Sequence, residues 1–275
     1  MTTVSVTKSL VPRLEAMRRR VLEAPQEVSL IRALAITHAV KSNPGMPREI
    51  QLALGFRAAM NQLPVSIAED ERIVGSLTEK FKAAMLYPEL KSDFIGKEVN
   101  NFEEREKDRF FLNDEEKRLI REEIAAFWNG KNGYDSMTSM LNGDTDFYVR
   151  NLAMVIMNDF MGANHLSHIE YEKVLSRGFN GILREIEAAV QNLSESDPEF
   201  LQKKNFYQSM IISIQAVNDY AARYAALALK MAGDAATAER TRELTAIADM
   251  TSQVPAGPAR SFREAIQAFW FTVIA

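Results

Sequence analysis

The chain has 275 residues, 47% hydrophobic and 25% charged, and its 33 Lys and Arg against 37 Asp and Glu give a formal net charge of -4. That balance fits a soluble globular protein with ample length for a buried core, and it offers no global attraction to nucleic acid or to an anionic membrane. Zero cysteines exclude disulfides, thiolate metal sites and thiol nucleophiles within these residues, and no apolar run reaches the roughly 18 to 20 residues of a membrane span.

The opening "MTTVSVTKSLVPRLEAMRRR" is Ser/Thr-rich and basic. It fits either a transit peptide or a short tail, 1–12, that leads into a basic helix face, with 13–275 as one domain portion. The dominant period beyond it is 3.6, which predicts helices near 12–24, 27–41, 47–61, 113–128, 170–193, 235–250 and from 258 onward. The clearest stripe is Phe206, Met210, Ile214, Val217, Ala221, Tyr224, Ala228 and Met231, whose steps of four and three run down one long helix. Asp197 before Pro198 marks its start and Gly233 its stop. Segments 64–75 and 84–95 are turn-rich with room for short extended pieces, and 129–148 reads as loop from its Gly, Asn and Asp density. "EEREKDR" (103–109) and "DEEKRLIREE" (114–123) read as charged helix surfaces with irregular local pairing. The fold class is mainly α.

Candidate chemistry is sparse. In "GANHLSHIEYEKVL", His165, His168 and Glu172 share a face if the segment is helical, and two imidazoles with a carboxylate can hold a divalent metal. Gly162, Ala163 and Asn164 instead place His165 in the turn before the helix, where it either faces a cavity or serves structure alone. His38 lies with Ile31, Leu34 and Ala35 and reads as a satisfied core or boundary histidine. "NGDTDF" (142–147) has the alternating oxygens of a calcium loop without the later Gly and Glu, so it reads as a turn. Neither a P-loop nor a dinucleotide fingerprint is present. The last stretch, "VPAGPARSFREAIQAFWFTVIA", gathers Phe262, Ile266, Phe269, Trp270 and Val273 and then stops, which reads as a helix cut short.

"MRRRVLEAP" (17–25), "EDERIVGS" (69–76), "AFWNGK" (126–131), "YEKVLSRGFNGILREI" (171–186), "KKNFYQSMIISIQAVNDYAARYAALA" (203–228) and "VPAGPARSFREAIQAFWF" (254–271) carry a resemblance that spans almost the whole chain from about Arg13. Their order and spacing resemble the N-terminal part of glycyl radical enzymes, the pyruvate formate-lyase-like family. Within it, the chain is more similar to the lyases, dehydratases and decarboxylases acting on choline, glycerol, hydroxyproline or isethionate than to pyruvate formate-lyase itself. The resemblance implies an α/β-barrel wrapped by helices in a cytoplasmic protein that is a homodimer at full length. It also implies a stored glycyl radical, a cysteine thiyl that takes hydrogen from a small-molecule substrate, a nearby glutamate as acid or base, and a radical-activating enzyme that uses S-adenosylmethionine and an iron-sulfur cluster. No catalytic residue of that set falls in this chain. It lacks cysteine, and its Gly133-Tyr134 pair follows Lys131-Asn132 where the family has Arg-Val-x. Family members often carry Gly-His ahead of the "YEKVL" helix. Asn164-His165 stands in that place, so the resemblance implies a substrate-binding role for His165, with asparagine in a turn that favours glycine. Two other readings stay open, a stand-alone helical scaffold or regulatory subunit and a helical metal-binding protein.

Overall fold

The structure, a computed structural model, describes residues 12–151 and 169–275. The described chain is mainly helical. α1 (Pro12–Glu23) leads into a three-residue strand β1 (Glu27–Ser29), then α2 (Ile31–Ser42) and α3 (Arg48–Gln62). β2 (Ala83–Met85) pairs with β1 in parallel, Val28 opposite Ala84, and Phe111 donates its amide to the carbonyl of Gln26 at the end of that ribbon. α4 (Asp93–Glu98) precedes α5 (Asp114–Leu119), which runs through a π-helical segment, Ile120–Ala125, into the single turn α6 (Ala126–Trp128). α7 (Gly133–Thr138) and α8 (Gly143–Arg150) are short. The second part is four longer helices: α9 (Tyr171–Gln191), α10 (Phe200–Gly233), α11 (Ala238–Gln253) and α12 (Phe262–Ile274).

Two apolar clusters organise these elements. The first joins Val28, Ile36, Ile95, Ile120, Ile124 and Trp128, so β1, α2, α4 and the π segment close around one indole. Trp128 is fully buried, and its Nε1 donates to Thr37 Oγ1 at 2.8 Å, which gives the ring's one polar atom a partner. The second cluster is built by α10, whose Val217, Tyr220, Tyr224 and Ala228 meet Leu244 and Ile247 of α11 and Phe271 of α12. The 34-residue α10 keeps its predicted stripe over most of its length, and Phe206 alone among the named stripe residues is exposed.

A peptide of turns and irregular backbone without a strand partner, residues 64–76, packs Ile67 and Val74 into the second cluster. Helix side chains satisfy its backbone instead. Gln267 accepts from the Val74 amide at 2.9 Å and donates to the Val74 carbonyl at 2.7 Å, Trp270 Nε1 donates to Gly75 O, and the Tyr220 hydroxyl donates to Ser76 O and accepts from Ser76 N. A buried backbone that lacked these partners would cost about 1–3 kcal/mol per orphaned group. Burial pushes both the Tyr220 and Tyr224 phenols up.

Several sequence expectations change here. Residues 129–148 are not a plain loop, because Asn132 and Asn142 are N-caps: Asn132 Oδ1 accepts from Asp135 N and Asn142 Oδ1 from Thr145 N, each at 2.9 Å, so the asparagines start α7 and α8. "NGDTDF" is therefore a helix start and not a turn. The predicted helix at 27–41 begins as β1 and becomes helical only at Ile31. "EEREKDR" is turn and bend, while "DEEKRLIREE" is helical and well paired, with Arg118 bridging Glu115 and Glu122 on adjacent turns. His38 is exposed, not core: α2 buries Ala33, Ile36 and Thr37, and His38, one position further round, meets Glu123 at 3.1 Å on the surface. Among the described residues, no helix is long and apolar enough to cross a membrane.

Candidate functional site

The helix after "GANHLSH" is where the sequence places its candidate residues, and that helix is broken. Gly178, at φ +64° and ψ 169°, divides α9 into Tyr171–Arg177 and Phe179–Gln191. A break leaves carbonyls without donors on one side and amides without acceptors on the other. The loop Val254–Ala259 supplies both. Phe179 N donates to Pro255 O at 2.8 Å, Asn180 N to Ala256 O at 2.9 Å, and Ala259 N to Leu175 O at 2.9 Å. A Cβ at residue 178 would run into the backbone of Gly257 and Ala256, and its positive φ disfavours any L side chain, so glycine is required twice over. Two of the sequence blocks that carry the resemblance, at 171–186 and 254–271, are thus one interlocked unit.

The start of α9 is anchored on the same side. The Tyr171 ring packs on Phe269 of α12 with centroids 4.9 Å apart, and Val174, Phe179 and Ile186 are buried. Beyond the break the two halves bring charges together that a straight helix would hold apart. Lys173 and Glu185 are twelve residues apart, about 18 Å along an unbroken helix, yet Lys173 Nζ lies 2.8 Å from Glu185 Oε2, and Arg177 takes the other oxygen. Hydrogen bonds from Lys173 and then Arg177 hold the Glu185 carboxyl below the usual carboxylate range. A recess of about 570 Å³ opens beside them, lined by Ser176, Arg177, Gly181, Arg184, Glu185 and Pro258. Two arginines face one carboxylate there, so the recess suits an anionic group better than a cation.

His165 and His168 lie outside the described residues. Glu172 is exposed on the first turn of α9. Among the described residues, no group of three His, Asp or Glu could hold a metal ion. Sequence periodicity could not find the Lys173–Arg177–Glu185 cluster, because it exists only through the break. The "RGFNG" glycines were the one available signal.

Residues 6–275 match the family model described as pyruvate formate lyase-like. The chain is 30% identical over 265 residues to the (2S)-3-sulfopropanediol dehydratase of Klebsiella oxytoca, covering 94% of this chain and 32% of that protein. It is 30% identical over 259 residues to the isethionate sulfite-lyase of Nitratidesulfovibrio vulgaris, covering 90% and 31%. Among solved structures, the glycerol-bound form of the B12-independent glycerol dehydratase from Clostridium butyricum superposes with a TM-score of 0.91 at 30% identity, over 98% of this chain and 34% of that one. A glycyl radical enzyme from Archaeoglobus fulgidus superposes with a TM-score of 0.86 at 29% identity, over 95% and 33%. The chain spans about a third of the length of the curated relatives it matches.

Proposed function

Because the chain belongs to the pyruvate formate lyase-like family of glycyl radical enzymes, we propose that it forms the helical, substrate-facing portion of a radical lyase or dehydratase that cleaves a bond in a small hydroxylated molecule. The observation that carries this reading is the superposition of 98% of the chain on the glycerol-bound dehydratase, at a TM-score of 0.91. Relatives are named for sulfopropanediol, isethionate and hydroxyproline, so the reading takes a hydroxyl-bearing substrate as the common denominator. The same reading places these helices around a barrel, in a cytoplasmic homodimer served by a radical-activating enzyme.

The radical chemistry does not fit the residues present. No cysteine is available for a thiyl. Gly133 and Tyr134 open α7, where both amides bond to the 89–90 turn and Tyr134 is buried, so that pair is structural. In this reading the radical glycine, the cysteine and its glutamate stand on polypeptide outside these 275 residues, and the chain alone does not turn over substrate. The exposed apolar stripe of α12, at Phe262, Ile266, Phe269 and Val273, supports further polypeptide lying over it. The part assigned to this chain is binding. His165, a few residues before Tyr171 in sequence, gives or accepts one hydrogen bond to a substrate hydroxyl or acid group.

The test has two arms. The reading frame is expected to continue past Ala275 into a cysteine followed closely by glutamate and, near its end, an Arg-Val-x-Gly-Tyr-like loop. A stop codon at that point, with no companion gene carrying those elements, would overturn the enzyme in favour of a stand-alone scaffold. In the complete enzyme, His165→Ala is expected to lower kcat/KM about 100-fold, the loss of one well-placed polar contact in a closed site, with an unchanged melting temperature. Unchanged kinetics would return His165 to a structural role.

A further inference from the structure

The recess of about 570 Å³ beside the Gly178 break joins both halves of α9 to the 254–259 loop, and its size is that of a small-ligand site. Arg177 is the last residue of the first half, and Arg184 stands in the second turn of the other. Gly181 lies between them as a buried floor. A Cβ built on it would come within 2.8 Å of Arg177 Cβ, 3.9 Å of Arg177 Cγ and 3.8 Å of Arg184 Nη2, so both arginine side chains reach over the point that the glycine leaves open.

The acceptors of this lining are mostly occupied, and its donors are mostly not. Both oxygens of Glu185 are taken, one by Lys173 Nζ at 2.8 Å and the other by Arg177 Nη1, and the Pro258 carbonyl accepts from Gln253 Nε2 at 2.8 Å. Ser176 Oγ donates to Glu172 O at 2.6 Å and keeps its lone pairs. Arg177 gives only Nη1, so the hydrogens on its Nε and Nη2 have no partner among the described residues. Arg184 makes no ion pair or hydrogen bond among them at all. Both side chains are exposed, so these donors are open to a ligand. Glu172 and Glu187, the other acids of α9, do not line the recess, which leaves three cations around one carboxylate.

We propose that this recess binds a phosphate monoester, with the phosphoryl oxygens between Arg177 and Arg184 and the organic group against Ala188 and the Pro258 ring. Planar guanidinium forks match phosphate oxygens in pairs, and the charge on both partners shortens and strengthens those hydrogen bonds. A cation would meet two guanidinium groups, and a neutral alcohol would bring them no charge. Because Arg177 and Arg184 belong to different halves of α9, the bound phosphate also ties the helix together across the Gly178 break.

The probe is phenyl phosphate at about pH 7.5, above the second phosphate pKa of about 6, titrated calorimetrically into the 275-residue chain at fixed ionic strength, with phenol and phenyltrimethylammonium as controls. Saturable binding of phenyl phosphate is expected, at least about tenfold tighter than phenol, with no binding of the ammonium. Arg184→Gln, at an exposed helical position, is expected to weaken it about tenfold. Ala188→Glu, also exposed, sets a second carboxylate in the lining and is expected to abolish it. Arg242→Gln removes an exposed arginine of α11 and is expected to leave binding unchanged. All three variants should retain the parent melting curve, since none touches a buried residue. Absence of phenyl phosphate binding, equal binding of phenol, binding that survives Arg184→Gln and Ala188→Glu, or an equal loss in Arg242→Gln would each overturn the site.

Discussion

Glu264 is a charged residue on the buried face of an apolar helix, and its partners explain why it is tolerated there. Arg260 donates to it from the backbone at 2.6 Å and from the guanidinium through Nε and Nη2, and the Ser261 cap sits alongside. These bonds, Arg260 first, hold its carboxyl below the usual range against the opposing effect of burial. A carboxyl whose folded pKa is depressed contributes stability above its unfolded value of about 4.3 and loses it as pH falls through the lower folded value. Glu264→Gln is therefore expected to lower the melting temperature at neutral pH, with a deficit that shrinks as pH drops below about 4. Melting curves between neutral and acid pH check this, and a deficit independent of pH would assign the loss to packing instead. At this scale the sequence was a poor guide. The stripe Phe262, Ile266, Phe269, Val273 is the apolar one, yet α12 buries Glu264, Gln267, Ala268, Phe271 and Ile274, with Gln267 satisfied by the Val74 backbone and Glu264 by Arg260. His38 misleads in the same way, since three apolar neighbours place it on a face that ends one residue short of it.

Among the elements, α9 shows what a single backbone angle can hold. Gly178→Ala adds a methyl group where the Ala256–Gly257 backbone already lies, at a φ that L residues rarely adopt. The three hydrogen bonds between α9 and the 254–259 loop must then loosen or the helix must shift. A loss of about 3 kcal/mol or more is expected, measured as a fall in urea midpoint, together with faster proteolytic cutting between Val254 and Ala259. A change below about 0.5 kcal/mol, the range of a neutral surface substitution, would show that the interlock contributes little. The long helices were legible because their 3.6-residue stripes extend over many turns, and α10 ends at the expected Gly233. Elements of three residues carry no period, so the parallel pairing of β1 with β2 was not readable, and neither was the π segment, whose backbone shift leaves no mark on composition. Asn132 and Asn142 were visible but ambiguous, since the same side-chain oxygen that caps a helix also favours a turn.

For the molecule as a whole, the resemblance of its sequence blocks supplied the family that periodicity could not, and the structure packs the 171–186 and 254–271 blocks against each other. What the chain leaves outside is equally defined. Phe262 is 83% exposed, and Ile266, Phe269 and Val273 lie on the same helix with it, also exposed. Isolated in water, such a face forfeits roughly 1.5–3 kcal/mol for each large side chain that burial would have stabilised. The 275-residue chain is therefore expected to bind a hydrophobic dye and to self-associate, and Phe262→Ser, Ile266→Ser and Val273→Ser together should suppress both with the helical circular dichroism intact. Dye binding that the triple variant leaves unchanged would place the sticky surface elsewhere.

The peptide at 64–76 also orders events in time. The amides and carbonyls of Val74 to Ser76 are held by Tyr220, Gln267 and Trp270, side chains made roughly 145–195 residues after them along the chain. On a ribosome, Val74 emerges long before Gln267 exists, and until α10 and α12 dock the backbone of Val74 to Ser76 lacks these partners. Slow exchange of the Val74 amide with solvent deuterium would then register the arrival of the last helix, and a nascent chain stalled short of residue 267 would leave the same amide unprotected.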